Sequence, residues 1–316
     1  MFFLYALGGA VLALAAADRL LPGLAARASL ALERKRSGLT LRHASLPYLD
    51  SGAGTEVLLL VHGFAGDKDN FTRIARFLAP HYRVIIPDLP GFGDARRDPG
   101  AKHDMATQVE NLRAFMAELG VQRFHMGGNS MGGFIAAEYA ARYPEQVASL
   151  WLLSPAGTEA AYDNSTFRTY LAGGGMPLLV SDPRDFDTLM TSCMAKPPFF
   201  PYSLKHVLAR RAVADYGLHC AIMRELVDSP MLLGTIETPA LIAWGTEDRI
   251  LNPEGAAATK ALMPNARLVM MEGVGHLPML EATRRAAYDF LELQRELATR
   301  RDGQSAQRRE CASGIR

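Results

Sequence analysis

Cysteine is scarce. The 316 residues hold three, Cys193, Cys220 and Cys311, too far apart for a disulfide framework or for metal-ligand spacing. Excess charge of one sign is also missing, since 34 Lys and Arg face 33 Asp and Glu for a net +1. That small sum hides an uneven spread. Residues 18–36 and 299–316 each carry five basic against two acidic side chains, which leaves residues 37–298 at −5. An acidic body excludes the basic face that nucleic-acid binding requires. No internal repeat is present, and no metal or organic cofactor is expected. What the chain does have is apolar content, 49% hydrophobic against 21% charged, enough to bury a large core.

Charge is absent altogether from residues 1–17, MFFLYALGGAVLALAAA. As a helix they reach about 25 Å, close to the ~30 Å hydrocarbon core, and Leu20 and Leu21 extend them. This run predicts a single-pass N-terminal membrane anchor. Residues 24–36 would follow as an amphipathic juxtamembrane helix, with Arg27, Arg34, Lys35 and Arg36 at headgroup level. A cleaved signal peptide would use the alternation of Ala13, Ala15 and Ala17 but lacks a basic start. A buried core helix lacks the polar face of an ordinary surface helix. Gly9, Ala13 and Ala17 form a small-residue stripe that would pair two anchors into a homodimer.

Beyond the anchor, short apolar runs alternate with helical stretches, the signature of a parallel sheet. A leading hairpin occupies 39–49. Strands are predicted at Val57–Val61, Arg83–Pro87, Phe124–Gly127, Leu150–Leu153, Ala240–Trp244 and Arg267–Met271. Helices are predicted at 70–79, 104–119, 131–143, 254–263 and 279–298. The alternation stops in residues 157–237, which are rich in Pro, Phe, Tyr, Leu and Met and predict a helical cap over the sheet edge. The expected organisation is 1–36 anchor and juxtamembrane helix, 37–156 with 238–298 as an α/β core, 157–237 cap, and 299–316 a frayed polar tail.

Gly128-Asn129-Ser130-Met131-Gly132 lies between a strand and a helix. There the glycines permit a turn sharp enough to lift a serine hydroxyl clear of the backbone. A serine nucleophile needs a base and an orienting acid. His276 follows the last strand between Gly275 and Leu277, and Asp248 follows the preceding strand, with Glu247 as the competing acid. The Phe64 amide, after the strand ending at Val61, and the Met131 amide, at a helix start, would form an oxyanion hole. His62 then shapes the loop and Asp88 holds turns. His206 and His219 are read as solvent-facing or packing residues of the cap. Tyr162, Phe167, Phe199, Phe200 and Tyr202 are candidates for an acyl tunnel.

With these parts in place, residues 40–298 resemble the α/β-hydrolase superfamily. The runs His62–Asn70, Gly128–Gly133 and Ser154-Pro155-Ala156-Gly157 resemble those of membrane-anchored monoacylglycerol lipases and related bacterial lipases. The N-terminal run is similar to that of bacterial membrane-bound phospholipases A. The resemblance implies an α/β fold with a mostly parallel central sheet, a helical cap and an N-terminal transmembrane helix. It also implies release of fatty acid from phospholipid, lysophospholipid or monoacylglycerol by Ser130, Asp248 and His276. The bacterial members imply an anchor in the inner (cytoplasmic) membrane with a periplasmic body, whereas the basic residues after the anchor favour a cytoplasmic one. A carbon–carbon bond hydrolase of aromatic degradation shares a similar Gly-Asn-Ser-Met-Gly-Gly elbow. An inactive hydrolase-fold scaffold is the reading from a different class.

Overall fold

The computed structural model describes residues 16–98, 100–232 and 234–313, with the side chains of 304–313 excepted. Its strands are β1 (Thr40–His43), β2 (Pro47–Asp50), β3 (Val57–Val61), β4 (Arg83–Pro87), β5 (Phe124–Asn129), β6 (Val147–Leu153), β7 (Ala240–Gly245) and β8 (Ala266–Met271). They form one sheet in the order β1-β2-β4-β3-β5-β6-β7-β8. The first two pairings, β1 with β2 and β2 with β4, are antiparallel, and all others are parallel.

Side chains alternate between faces along each strand, so both faces must be covered. Leu59, Val61, Ile85, Leu150, Leu152, Ile242 and Trp244 enter one buried cluster. Their neighbours Leu58, Leu60, Val84, Ile86, Trp151, Leu153, Leu241 and Ala243 enter the other. Helices α1 (Pro22–Arg36), α2 (Thr72–Leu78), α3 (Met105–Glu118) and α4 (Met131–Arg142) accompany the first six strands. Phe115 of α3 and Ile135 of α4 cover the first face. Ile74 and Leu78 of α2 cover the second.

Between β6 and β7 the described residues form helices α5 (Glu159–Tyr162), α6 (Ser165–Leu171), α7 (Asp185–Cys193), α8 (Tyr202–Ala214) and α9 (Tyr216–Asp228). After β7 come α10 (Gly255–Leu262), α11 (Pro278–Glu281) and α12 (Thr283–Ser313). Helix α12 runs on through the segment expected to be a frayed tail, because no proline interrupts it.

The membrane anchor is corrected. No helix of the described residues is long and apolar enough to cross a membrane. Residues 1–15, with Gly9 and Ala13 of the expected pairing stripe, lie outside the described residues. The transmembrane helix, the anchored branch of the resemblance and the inner-membrane location are set aside on this finding.

Residues 22–36 take a different course from a juxtamembrane helix. Pro22 opens α1, and Arg34, Lys35 and Arg36 stand in its last turn, where they complement the helix dipole. The helix packs along α8. Arg34 Nε donates to Asp69 Oδ1 at 2.7 Å. Upstream, the Asp18 carboxylate accepts the amides of Tyr202 (3.0 Å) and Ser203 (3.1 Å). Pro201, at the N-cap of α8, makes no side-chain cap bond, so a residue 184 positions away caps the helix for it.

Candidate active site

Ser130 sits between β5 and α4 with φ 54° and ψ −119°, a left-handed backbone that costs a non-glycine residue about 1–3 kcal/mol. Three amide bonds hold it there. Its own N–H donates to the Leu153 carbonyl at 3.1 Å, and its carbonyl accepts the amides of Phe134 and Ala156, each at 3.0 Å. The flanking glycines are required by contact. A Cβ on Gly128 would lie 2.1 Å from the Gly132 carbonyl oxygen, and one on Gly132 would lie 2.2 Å from that of Val61. Ala65 and Ser154 are the other non-glycine residues with positive φ among the described residues. Ala65 lines the cavity at Ser130, and Ser154 ends the neighbouring strand. Strain is thus gathered around the serine.

His276 and Asp248 stand on the loops after β8 and β7. The Asp248 Oδ1 accepts the amides of Ile250 and Leu251, each at 2.9 Å. Its Oδ2 lies 2.7 Å from His276 Nδ1. A carboxylate so arranged is an acceptor, so Nδ1 carries the proton and Nε2 keeps its lone pair. Glu247 points elsewhere: its carboxylate is 52% exposed and 3.9 Å from Arg249. The His276 amide donates to the Cys193 carbonyl at 2.7 Å, which ties this loop to α7.

Asn129 was not singled out by sequence reasoning. Its side-chain amide donates to the carbonyls of Leu153 (2.9 Å) and His276 (3.0 Å). It therefore fixes the serine turn against the histidine loop. The available signal was its polarity at a position due to be buried.

Phe64 follows β3 in a loop set by His62. His62 Nδ1 donates to the Gly63 carbonyl at 2.8 Å, and Nε2 accepts the Leu89 amide at 3.0 Å. Burial holds the His62 pKa below its ordinary value, which suits this neutral tautomer. Among the described residues, neither the Phe64 amide nor the Met131 amide donates to a protein acceptor. Lys68 and Asp88 brace the loop from beneath. Asp88 accepts the Lys68 amide and ammonium and the Asp94 amide, each at 2.7 Å.

Ser130 and His276 line one cavity of about 130 Å³, which Phe64 and Asn129 also border. Its lining divides by chemistry. Phe186, Met190 and Cys193, at helical spacing on α7, are apolar, and burial pushes the Cys193 thiol up and keeps it protonated. Arg211, Asp215 and His219, from the α8–α9 junction, are polar. Asp67 joins them from the loop after β3. Burial, helped by the Asp69 and Asp88 carboxylates and opposed by Arg211, pushes Asp67 up to about 7.

Of the five cap aromatics proposed for an acyl tunnel, Phe200 lines this cavity. Phe199 is 83% exposed and borders a second cavity of about 330 Å³, between α1 and α8. Tyr202 stacks on His206 and lies under Arg19. Tyr162 and Phe167 pack edge to face at 4.7 Å in the core. Phe186, Met190 and Cys193 of α7 line the cavity with Phe200.

Residues 56–283 match the model of the α/β-hydrolase fold family. The chain belongs to that family. This α/β-hydrolase is 37% identical over 272 residues to Lipase 1 of Psychrobacter immobilis, spanning 82% of this chain and 85% of that one. It is 27% identical over 251 residues to the monoacylglycerol lipase ABHD6 of Homo sapiens, 74% of each chain. Its structure is similar to the crystal structure of a membrane phospholipase A described as a bacterial virulence factor. That match has a TM-score of 0.85 at 36% identity and covers 94% of this chain and 98% of that one. The α/β-hydrolase is a carboxylic ester hydrolase of the lipase and esterase class.

Proposed function

We propose that Ser130, His276 and Asp248 form the catalytic triad, and that the amides of Phe64 and Met131 form the oxyanion hole. The substrate is a lipid ester, with its acyl chain along the apolar lining and a polar alcohol against Arg211 and Asp215. One observation carries this reading. The His276–Asp248 bond of 2.7 Å leaves Nε2 as a base, in the cavity that a strained serine lines.

The chemistry follows from these positions. His276 Nε2 takes the Ser130 proton as Oγ attacks the ester carbonyl, and Asp248 stabilises the imidazolium. The two amides hold the tetrahedral oxyanion, each worth about 3 kcal/mol in the transition state. His276 returns the proton to the departing alcohol, leaving an acyl-enzyme on Ser130. Water, activated by the same imidazole, releases the fatty acid and restores the serine.

The related lipases and the phospholipase A support monoacylglycerol, lysophospholipid and phospholipid as the esters to test. Incubation with a panel of these lipids, with released fatty acids identified by mass spectrometry, should show acyl release from at least one class. Ser130→Ala should abolish it. Release confined to water-soluble short-chain esters would overturn the lipid assignment and leave the ester hydrolase.

A further inference from the structure

His219 is the polar group in the cavity that the chemistry above leaves without a task. It is buried on α9, and its ring completes a cluster of three with Phe64 and Phe92, which also touch each other at 5.7 Å. It stacks on Phe92, with centroids 5.3 Å apart, and meets Phe64 at 5.4 Å. A phenylalanine would satisfy both contacts. The ring nitrogens need another reason, because a buried polar atom without a partner is destabilising and uncommon in a native fold. His219 Nε2 is such an atom. Several other buried polar atoms share its condition among the described residues, in His103, Trp151 and Trp244 for example. Of all of them, His219 alone belongs to a residue lining the cavity with Ser130.

The neighbouring polar groups are already occupied. Both oxygens of Asp215 are held by Arg97, through Nε at 2.6 Å and Nη2 at 2.8 Å. Arg211 spans Asp67 and Asp94, each at 3.1 Å. The charges on this wall are therefore paired, whereas the buried His219 Nε2 has no partner.

We propose that His219 is a specificity-determining residue that hydrogen-bonds a free hydroxyl on the alcohol portion of the ester. The proposal rests on the reading of Ser130 as the nucleophile of an ester hydrolase. A hydroxyl fits where other groups do not. It both donates and accepts, so it satisfies a neutral ring nitrogen in either tautomer. An anionic group would find no net positive charge, since Arg97 and Arg211 are neutralised by Asp215, Asp67 and Asp94. The Phe64 ring adjoins that of His219, and the Phe64 amide belongs to the proposed oxyanion hole. The hydroxyl site thus shares one cavity with Ser130 and with the proposed oxyanion hole.

The test compares two esters of one acid, glyceryl monobutyrate with two free hydroxyls and propyl butyrate with none. His219→Phe keeps the ring stacking and removes the nitrogens. It should lower kcat/KM on the glyceryl ester about tenfold and change that on the propyl ester by less than about twofold. His219→Gln, which restores a donor and an acceptor, should recover part of the glyceryl rate. Equal losses on both esters would make His219 a packing residue and overturn the proposal. An unchanged glyceryl rate in His219→Phe would overturn it too. A wild-type enzyme inert on both would overturn the ester-hydrolase reading itself, and the proposal with it.

Discussion

The floor of the cavity and its roof are held by different forces. The floor consists of the serine turn, the oxyanion loop and the histidine loop. Backbone amides, close-packed glycines and the Asn129 side chain fix it, all within or directly beside the central sheet. The roof consists of α7, α8 and α9; it packs into the apolar core through Met190, Ala209 and Ile222, and charged ties join it to distant segments. Arg211 reaches Asp67 and Asp94, Arg97 reaches Asp215, and Asp18 caps α8 from the other side of the chain. A floor of buried amide bonds keeps reacting atoms within the narrow tolerance that catalysis demands. The ties of the roof are ion pairs between side chains, which fix position less narrowly than backbone amides do.

The sharpest way to break the comparison lies on the floor. Asp248→Asn should lower turnover by about 10⁴-fold by favouring the wrong imidazole tautomer, whereas Glu247→Gln should stay within about twofold. Steady-state rates on a soluble butyrate ester decide it. Reversed sensitivities would move the orienting acid to Glu247.

A titration separates roof from floor. Burial first, with Arg97 adding and Asp215 opposing, lowers the His219 pKa from 6.5 to about 4. The unfolded chain then binds a proton below about pH 6.5 that the folded chain refuses until about pH 4. The His219 contribution to stability should therefore fall as pH drops through this window, by on the order of 3 kcal/mol and against the opposite contribution of Asp67. His219→Phe should remove that contribution from the profile. Denaturant midpoints between pH 4 and 7 provide the check. A slope unchanged in the variant would assign acid sensitivity to other groups.

Smaller effects are expected where α1 meets the roof. Arg34→Ala breaks its pairing with Asp69, which is half-buried on both sides, and should cost about 1 kcal/mol. Asp18→Ala uncaps α8 and should cost about 1 kcal/mol. Thermal unfolding measures both. Losses near zero would mean that α1 rests on the cap without holding it.

Floor and roof also differ in how much of them was legible in sequence. Glycines around Ser130, a histidine after β8 and an acid after β7 are short-range signals, because each element delivers its residue at its own end. The strand runs were readable for the same reason: a strand buried on both faces is apolar throughout. The roof offered no such signal. Its ties join residues 117 to 184 positions apart, and no local pattern marks Asp18 as the cap of a helix that begins at Tyr202. Aromatic content suggested an acyl tunnel in Phe199, Tyr202, Tyr162 and Phe167, but exposure or core packing claims those rings. The α7 stripe lines the cavity in their place. The N-terminal run misled in another way. Its lack of charge predicted a bilayer span, while Asp18, Arg19 and Arg34, just beyond it, are spent on contacts with the cap and the oxyanion loop.

The central claim is that the strained serine between β5 and α4 is the nucleophile. Labelling with a fluorophosphonate, followed by digestion and tandem mass spectrometry, tests it most directly. The account predicts one adduct, on Ser130, that prior hydrolysable ester slows and that Ser130→Ala eliminates. An adduct on another residue, or labelling that persists in the Ala variant, would contradict it.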